Sequence, residues 1–519
     1  MTTLDAAGSR MQESVFAFLT DTVTHPGVHR IDTHAASVFL EGSRALKIKR
    51  AVRFPFLDYS TLEKRKAACD EEIRINRQFA PQIYHRVVPI TRDSDGSMSI
   101  DGSGTAVEYA VEMTRFDERQ TIDHLAVSGP LDPDLVDAIA DVIAASHGIE
   151  PLAPAQPWID SIPGIIGGNT AAFRAAARFP DADIDDLGEA SLSALRRVRG
   201  LLEQRGGAGF VRRCHGDLHL ANIVLIEGKP VLFDAIEFDP DIASIDVLYD
   251  LAFPIMDLIR YGRHPEANAL LNRYLATTAD DNLDALAALP LFMSLRAAIR
   301  ANVLLARLGR GCRDTGDVIR SALAYFELAR LAIAPKAPAL VAVGGLSGTG
   351  KSVLARALAP SIMPQPGAVV LRTDVLRKQL FGVGETDRLP ESAYRPEITG
   401  QIYEILARRT GRILAQGHSV VVDAVFAREA ERDAIHDAAR KLNVRFVGLF
   451  LTADFATRVK RVGRRQRDAS DATPEIAALQ EKYDLGAVDW AAIDASGTPE
   501  QTLKLCQFRS AHDEAARAG

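Results

Sequence analysis

Cysteine is scarce in this chain of 519 residues. There are four, Cys69, Cys214, Cys312 and Cys506, and no two are close enough to make a C-x-x-C pair. The spacing argues against a disulfide framework and a cysteine zinc site, and a reducing compartment fits. Long apolar runs are also missing: no stretch reaches the roughly 18 unbroken apolar residues that a bilayer span requires. The opening segment, MTTLDAAGSRMQES, lacks a basic stretch followed by an apolar one, so it does not read as a secretory signal. The expected address is the cytoplasm. Nor is there an excess of positive charge. With 61 Lys and Arg against 68 Asp and Glu the net charge is −7, which argues against wholesale binding of nucleic acid and leaves room only for a local basic groove. Internal repeats and low-complexity tracts are absent.

What is present is ordinary for a globular protein: 47% hydrophobic and 25% charged residues, in a length that predicts two to four domains. The clearest seam is Ala334-Pro-Lys-Ala-Pro338, where two prolines stop a helix and an apolar strand, Ala339 to Val343, begins. Ahead of it, residues 243–333 read mostly as helices, including Asp246 to Tyr261 and Leu291 to Leu308. Beyond it, Leu340–Val343, Val369–Leu371, Ser419–Val422 and Arg445–Leu451 alternate with helical patterns, which predicts a parallel sheet covered by helices. The first third predicts strands at Ala36–Leu40, Ala45–Lys49, Ile83–Pro89 and Glu108–Met113, with a helix from Tyr59 to Phe79. A small sheet with one helix, followed by a helical half, is the order of a two-lobed kinase. The expected organisation is a kinase-like domain over 1–333 (N-lobe about 28–114, C-lobe about 115–333), a linker at 334–338 and a P-loop domain over 339–519.

Gly345-Leu-Ser-Gly-Thr-Gly-Lys-Ser352 is a complete G-x-x-x-x-G-K-S between an apolar strand and an amphipathic helix, Val353 to Ala359. Its glycines let backbone N–H groups turn in on phosphates at the positive end of the helix. The nucleotide-binding set is then Gly345, Ser347, Gly348, Thr349, Gly350, Lys351, Ser352 and Val353. Lys351 neutralises the β- and γ-phosphates, and the Ser352 hydroxyl binds Mg²⁺. Asp374, after the second strand, is positioned to take a proton from an acceptor hydroxyl, and Arg377 to hold an anionic acceptor. Asp374 as a helix cap is the competing reading. Val420-Val-Val-Asp423 ends in an acid where Mg²⁺ is expected, although that acid also suits a cap. Arg458, Arg461 and Arg465 share a helical face, with Arg464 and Arg467 beside them, ahead of Asp468-Ala-Ser-Asp471. This pattern suits a lid whose arginines, Arg461 and Arg465 foremost, stabilise the transferring phosphoryl; some of them serve equally as a solvated basic face. Over about residues 338–510 these motifs resemble the P-loop kinases related to polynucleotide kinase, gluconate kinase and zeta-type toxins. No NKxD motif is present, which disfavours a GTPase.

His215-Gly-Asp217-Leu-His-Leu-Ala-Asn222 has an Asp and an Asn at the spacing of a kinase catalytic loop, and Leu232-Phe-Asp234 supplies a second acid. Asp217 orients and deprotonates an acceptor hydroxyl; Asn222 and Asp234 hold metal on the ATP phosphates. HGDLHxxN resembles the catalytic loop of aminoglycoside phosphotransferases and choline kinases. The resemblance implies a strand lysine, Lys47 with Lys49 the alternative (one of the two a solvated edge residue), and a helix glutamate, Glu72 with Glu71 the alternative. It also implies an adenine-facing hinge at Glu112-Met113-Thr114 and a structural acid at Asp250. No G-x-G-x-x-G covers the phosphates, and the metal segment carries two extra acids, Glu237 and Asp239.

Taken whole, the chain resembles bacterial bifunctional aminoglycoside phosphotransferase/ATP-binding proteins, with Thr33-His34, Phe56-Leu-Asp-Tyr-Ser60 and Asn76-Arg-Gln-Phe-Ala-Pro81 as N-terminal signatures. The implied fold is an aminoglycoside phosphotransferase-type kinase domain, with an α+β small lobe and a helical large lobe, followed by an α/β P-loop NTPase with a parallel sheet. The implied activity is ATP- and Mg²⁺-dependent transfer of the γ-phosphoryl to a hydroxyl acceptor at both sites. A nucleic-acid hydroxyl stays open as the acceptor of the second. The competing reading makes one module a silent ATP-binding sensor or scaffold for the other.

Overall fold

The computed structural model describes residues 6–33, 35–54, 57–308, 315–464 and 468–506. His34, Phe56, Cys312, Arg465 and Arg467, all singled out above, lie outside the described residues. The chain divides into two compact units, Met1–Gly168 with Arg199–Asp257, and Asn169–Val198 with Leu258–Gly519.

The first unit is built on an antiparallel six-stranded sheet in the order His29–Asp32, Ala36–Glu41, Arg44–Lys49, Thr105–Thr114, Tyr84–Arg92, Met98–Ile100. Alternation along Arg44–Lys49 sends Leu46 and Ile48 to one face and Lys47 and Lys49 to the other. On the apolar face Leu46 and Ile48 pack with Phe39, Val88 and Ile90 beneath Val15, Phe16 and Leu19 of the Ala6–Leu19 helix. The opposite face takes the Leu62–Phe79 helix, which starts at an N-cap, Thr61, whose hydroxyl accepts from Lys64 N–H. Cys69 of that helix joins Ile83, Tyr84, Val111, Val224 and Val231 in a second core that reaches the segment carrying Asn222 and Asp234.

In the second unit five parallel strands run in the order Val369–Arg372, Val420–Asp423, Ala339–Gly345, Arg445–Thr452, Ala491–Asp494. The parallel sheet was expected; the edge strand Ala491–Asp494 was not. At the opposite edge, backbone groups of the first strand in that order lack a neighbouring strand, and asparagines of the His264–Thr277 helix serve them. Asn272 accepts from Val370 N–H at 2.7 Å and donates to Ala368 O at 3.2 Å, while Asn268 donates to the same carbonyl at 3.0 Å. Arg412 adds a forked pair with Asp284, 2.6 Å on each arm. The His264–Thr277 helix thus packs along the edge of the P-loop sheet, and the proline-bearing 334–338 segment separates a helix ending at Ile333 from the strand beginning at Ala339.

Among the described residues one helical window, Leu289–Ala306, is long and apolar enough to cross a bilayer by length and composition, although Arg296 and Arg300 interrupt it; 61% of it is buried within the fold. The three described cysteines, Cys69, Cys214 and Cys506, are all free and buried.

Glu150 follows the Pro133–Ile149 helix and is only 4% exposed, close to Cys214 and Asp250. Burial pushes its carboxyl up to about 9, and the Asp250 carboxylate adds to the shift. A raised acid in the folded state means that stability is fullest below the unfolded value and drains away as pH climbs toward the folded one. Glu150→Gln, which removes this titration, should raise the melting temperature, with a gain that widens from about pH 5 to about pH 9. Melting curves across that range check it; a difference that does not change with pH contradicts it.

Candidate phosphoryl-transfer sites

In the first unit Lys47, Glu72 and Asp234 are brought together from a strand, a helix and a distant loop. Lys47 Nζ donates to Glu72 Oε1 at 2.7 Å and to Asp234 Oδ1 at 2.6 Å, which joins the strand, the helix and Asp234 in a single ion-pair chain. Glu72, rather than Glu71, is the partner; Glu71 pairs with Arg74 on the solvent side. Lys49 is not a solvated edge residue. It is 3% exposed and bound to Glu72 Oε2 at 2.7 Å and to Glu237 Oε1, because its face of the strand is covered by a helix that carries charge inward. Met113 pairs in register with Ala45 and Tyr84 near the end of its strand, half-buried against the second core.

Asp217 is 41% open to solvent, and Asn222 Nδ2 donates to its backbone carbonyl at 2.9 Å, so the loop folds back on itself and presents the acid. Beneath it, Asp250 accepts from His215 N–H at 3.2 Å and Gly216 N–H at 3.0 Å and faces His147 at 3.4 Å, consistent with the structural role expected of it. His147, Cys214 and Asp250 stand near enough to share a metal ion, but Asp250 is already committed to these amides. Burial keeps His215 below its ordinary pKa; its neutral ring donates from Nε2 to Phe233 O at 2.9 Å.

Asp234 sits at φ 62°, a left-handed conformation that costs a non-glycine residue energy and needs outside support. Asn76 provides it: its Oδ1 accepts from Ala235 N–H at 2.7 Å and its Nδ2 donates to Ala235 O. Tyr84 Oη accepts from Asp234 N–H at 3.1 Å. The sequence carries Asn76 only within a signature and gives no sign of this role for Tyr84. Asp239 is a cap, accepting from Asp241 N–H.

In the second unit the P-loop wraps as its glycines allow. At Gly348, φ 87°, a Cβ would sit 2.5 Å from Arg458 O, and at Gly345, φ 134°, one would meet Leu451 O at the same distance. Lys351 Nζ donates to Leu346 O at 3.2 Å, the Ser352 hydroxyl to Asp423 Oδ2 at 2.5 Å. Hydroxyl and carboxylate therefore face one point, the donor set that a hard divalent cation takes. Arg372, passed over as a functional candidate, donates to Asp423 at 3.2 Å and to Asp468 at 2.9 Å.

Asp374 is not the helix N-cap; that position is Arg372, and Asp374 lies in the first turn of the Thr373–Leu380 helix. Burial raises its pKa and Asp423 adds to the rise, with Arg372 and Lys351 reversing only part of it. Arg377 is buried and engaged: it donates to Ala393 O and to Thr399 Oγ1 and stacks 4.8 Å over the Tyr394 ring. One hydrogen on each terminal nitrogen is thus engaged, and the guanidinium helps to build the wall around Tyr394.

The basic helix Phe455–Gly463 divides its work. Arg458 is a buttress, donating to Ser347 O at 2.9 Å and pairing with Glu481. Arg461 was expected over the transferring phosphoryl, but it donates to the carbonyls of Ala495 and Gly497, each at 2.7 Å. There it lines a cavity of about 310 Å³ together with Gly348, Thr349, Gly350, Ser352 and Val353, opposite Pro499 and Thr502.

Residues 35–289 match the model of the phosphotransferase enzyme family, and residues 340–484 match that of an AAA domain. Uncharacterized proteins of Mycobacterium tuberculosis and Mycobacterium bovis are each 29% identical over 497 residues, 91% of this chain and 93% of theirs. Among solved structures, a choline/ethanolamine kinase family protein from Mesorhizobium loti covers 62% of this chain and 95% of its own, at 14% identity and a TM-score of 0.37. A gluconokinase from Sinorhizobium meliloti covers 35% and 98%, at 20% identity and a TM-score of 0.26.

Asp250→Ala would leave the buried His215 and Gly216 amides without an acceptor, at about 1–3 kcal/mol for each orphaned group. Urea unfolding should show a lower midpoint of that order; an unmoved midpoint contradicts the anchoring role.

Proposed function

We propose that this chain, a kinase-type enzyme joining a domain of the phosphotransferase enzyme family to a P-loop domain, transfers the ATP γ-phosphoryl to hydroxyl acceptors at two separate centres in the cytoplasm. The observation that carries the reading is Lys47 held at 2.7 Å and 2.6 Å between Glu72 and Asp234, a cation kept ready for phosphate beside a carboxylate suited to metal.

At the first centre Asp217 accepts the proton of the acceptor hydroxyl and Lys47 steadies the phosphates. The Met113 segment meets adenine, and Asn222 and Asp234 would hold Mg²⁺. At the second, the glycine loop and Lys351 bind the phosphates, and Ser352 with Asp423 would hold the cation. Bound Mg²⁺ would supply charge neutralisation at the phosphate oxygens. Asp374 is the base there, supported by a carboxyl whose raised pKa makes it a better proton acceptor than an ordinary aspartate. Arg377 shapes the acceptor side, and Arg461 the side occupied by the base of the nucleotide.

A screen of sugars, nucleosides, aminoglycosides and 5′-hydroxyl oligonucleotides with labelled ATP identifies the acceptors. With an acceptor in hand, Asp374→Asn should keep ATP affinity yet lose transfer by about 10²–10⁴-fold. In the unsubstituted chain the rate at this centre should fall as pH drops, with its acid limb above the ordinary carboxylate range because the deprotonated form is the active one. Unchanged turnover in Asp374→Asn, with only the melting temperature lowered, would contradict a kinase at the second centre.

A further inference from the structure

We propose that Gln12, on the Ala6–Leu19 helix, is a positioning residue for the first centre: by way of Glu108 and Arg65 it fixes the helix that carries Glu72, and with it the place of Lys47. The proposal rests on reading the first unit as an ATP-dependent phosphotransferase. The Ala6–Leu19 helix precedes the stretch that matches the phosphotransferase enzyme family, which begins at residue 35. Val15, Phe16 and Leu19 seat this helix on the apolar face of the sheet. Gln12 stands three and four residues ahead of Val15 and Phe16, on the same inward face, and is only 5% exposed. Its Nε2 donates to Lys49 O at 2.9 Å and to Glu108 Oε2 at 2.8 Å, and its Oε1 accepts from Ala51 N–H at 2.8 Å. Turned over, the amide would set its oxygen against two acceptors and its nitrogen against a donor, so these contacts fix it in one pose. A polar side chain on an apolar stripe thus fastens the end of the Lys47 strand to Glu108.

Glu108 is where the two layers around the sheet meet. It is wholly buried, and besides Gln12 it accepts from Arg65 Nε at 2.9 Å on each oxygen. Arg65 belongs to the Leu62–Phe79 helix on the other face, is 4% exposed, and also donates to Tyr59 O at 3.1 Å. Breaking a buried pair of this kind strands a charge, so where Glu108 is held, that end of the helix is held too. The hydrogen bond from Gln12 to the carboxylate is charge-assisted and directional, which an apolar contact in its place would not be. Arg65, Cys69, Glu72 and Asn76 follow at i, i+4, i+7 and i+11 along the buried stripe of the helix. Glu72 pairs with Lys47 at 2.7 Å, and Asn76 supports the Asp234 loop through Ala235. The Lys47–Glu72 pair stays formed while Lys47 meets the phosphates, so a shift of this helix moves the lysine with it.

The test uses the full chain carrying Lys351→Ala, so that nucleotide binding reports the first unit. Affinity for β,γ-imido ATP with Mg²⁺ is measured by calorimetry, at a temperature below the melting of every variant. Gln12→Met, which keeps the length and loses the hydrogen bonds, should weaken binding by about fivefold. Phe16→Leu trims the packing of the same helix without touching the amide; it should lower the melting temperature and leave the affinity at the parent's. Glu72→Gln removes the ion pair through which Gln12 acts, so adding Gln12→Met to it should cost no further affinity. Should Gln12→Met fail to fold, Arg65→Lys, which keeps the charge but loses the guanidinium geometry, takes its place with the same expectation. Parent-like affinity in the folded variant, an equal loss in Phe16→Leu, or the full loss repeated on top of Glu72→Gln would each overturn the positioning role. A Lys351→Ala parent that binds no nucleotide would instead overturn the reading of the first unit on which the proposal stands.

Discussion

A charge removed from water has to be answered by another charge or by hydrogen bonds, and both centres in this chain are organised around that demand. In the first unit Glu72 lies wholly out of solvent between two lysines, and its position fixes where Lys47 stands. In the second, Asp423 is answered by Arg372 and the Ser352 hydroxyl. Without these pairings each buried carboxylate would stand without a counter-charge, a costly arrangement in either unit.

The supporting structure is spent on the same problem. Asp250 cannot move without abandoning two buried amides, so the loop that carries Asp217 is pinned from below. Asp234 is kept in a left-handed conformation by Asn76 and Tyr84, side chains far from it in sequence. Arg458 pins the phosphate loop through Ser347 O, where an exposed arginine was one of the expected roles for this helix. Each is a rigid scaffold acting on a short functional loop, and positioning of this sort supplies much of the rate in phosphoryl transfer.

The elements legible in the sequence were the local ones. The Asp217/Asn222 spacing, the glycine loop and its flanking strand and helix all lie within a few residues, where periodicity and turn chemistry act directly. The long-range pairings were not legible. Nothing in the spacing of Lys49 shows that Glu237 answers it from 188 residues away, so a buried lysine read as an edge residue. Nor does the pattern that carries Arg377 and Arg461 show that the carbonyls of Ala393, Ala495 and Gly497 accept from them. The Ala491–Asp494 strand is four residues long, too short to carry a readable alternation.

The central claim is that the chain holds two nucleotide centres that work independently. Calorimetric titration of the full chain with β,γ-imido ATP and Mg²⁺ tests it most directly. The account predicts two sites per chain, one of them lost in Lys351→Ala and the other lost in Lys47→Ala. A single site in the unsubstituted chain, or the loss of all binding from either substitution alone, would contradict it.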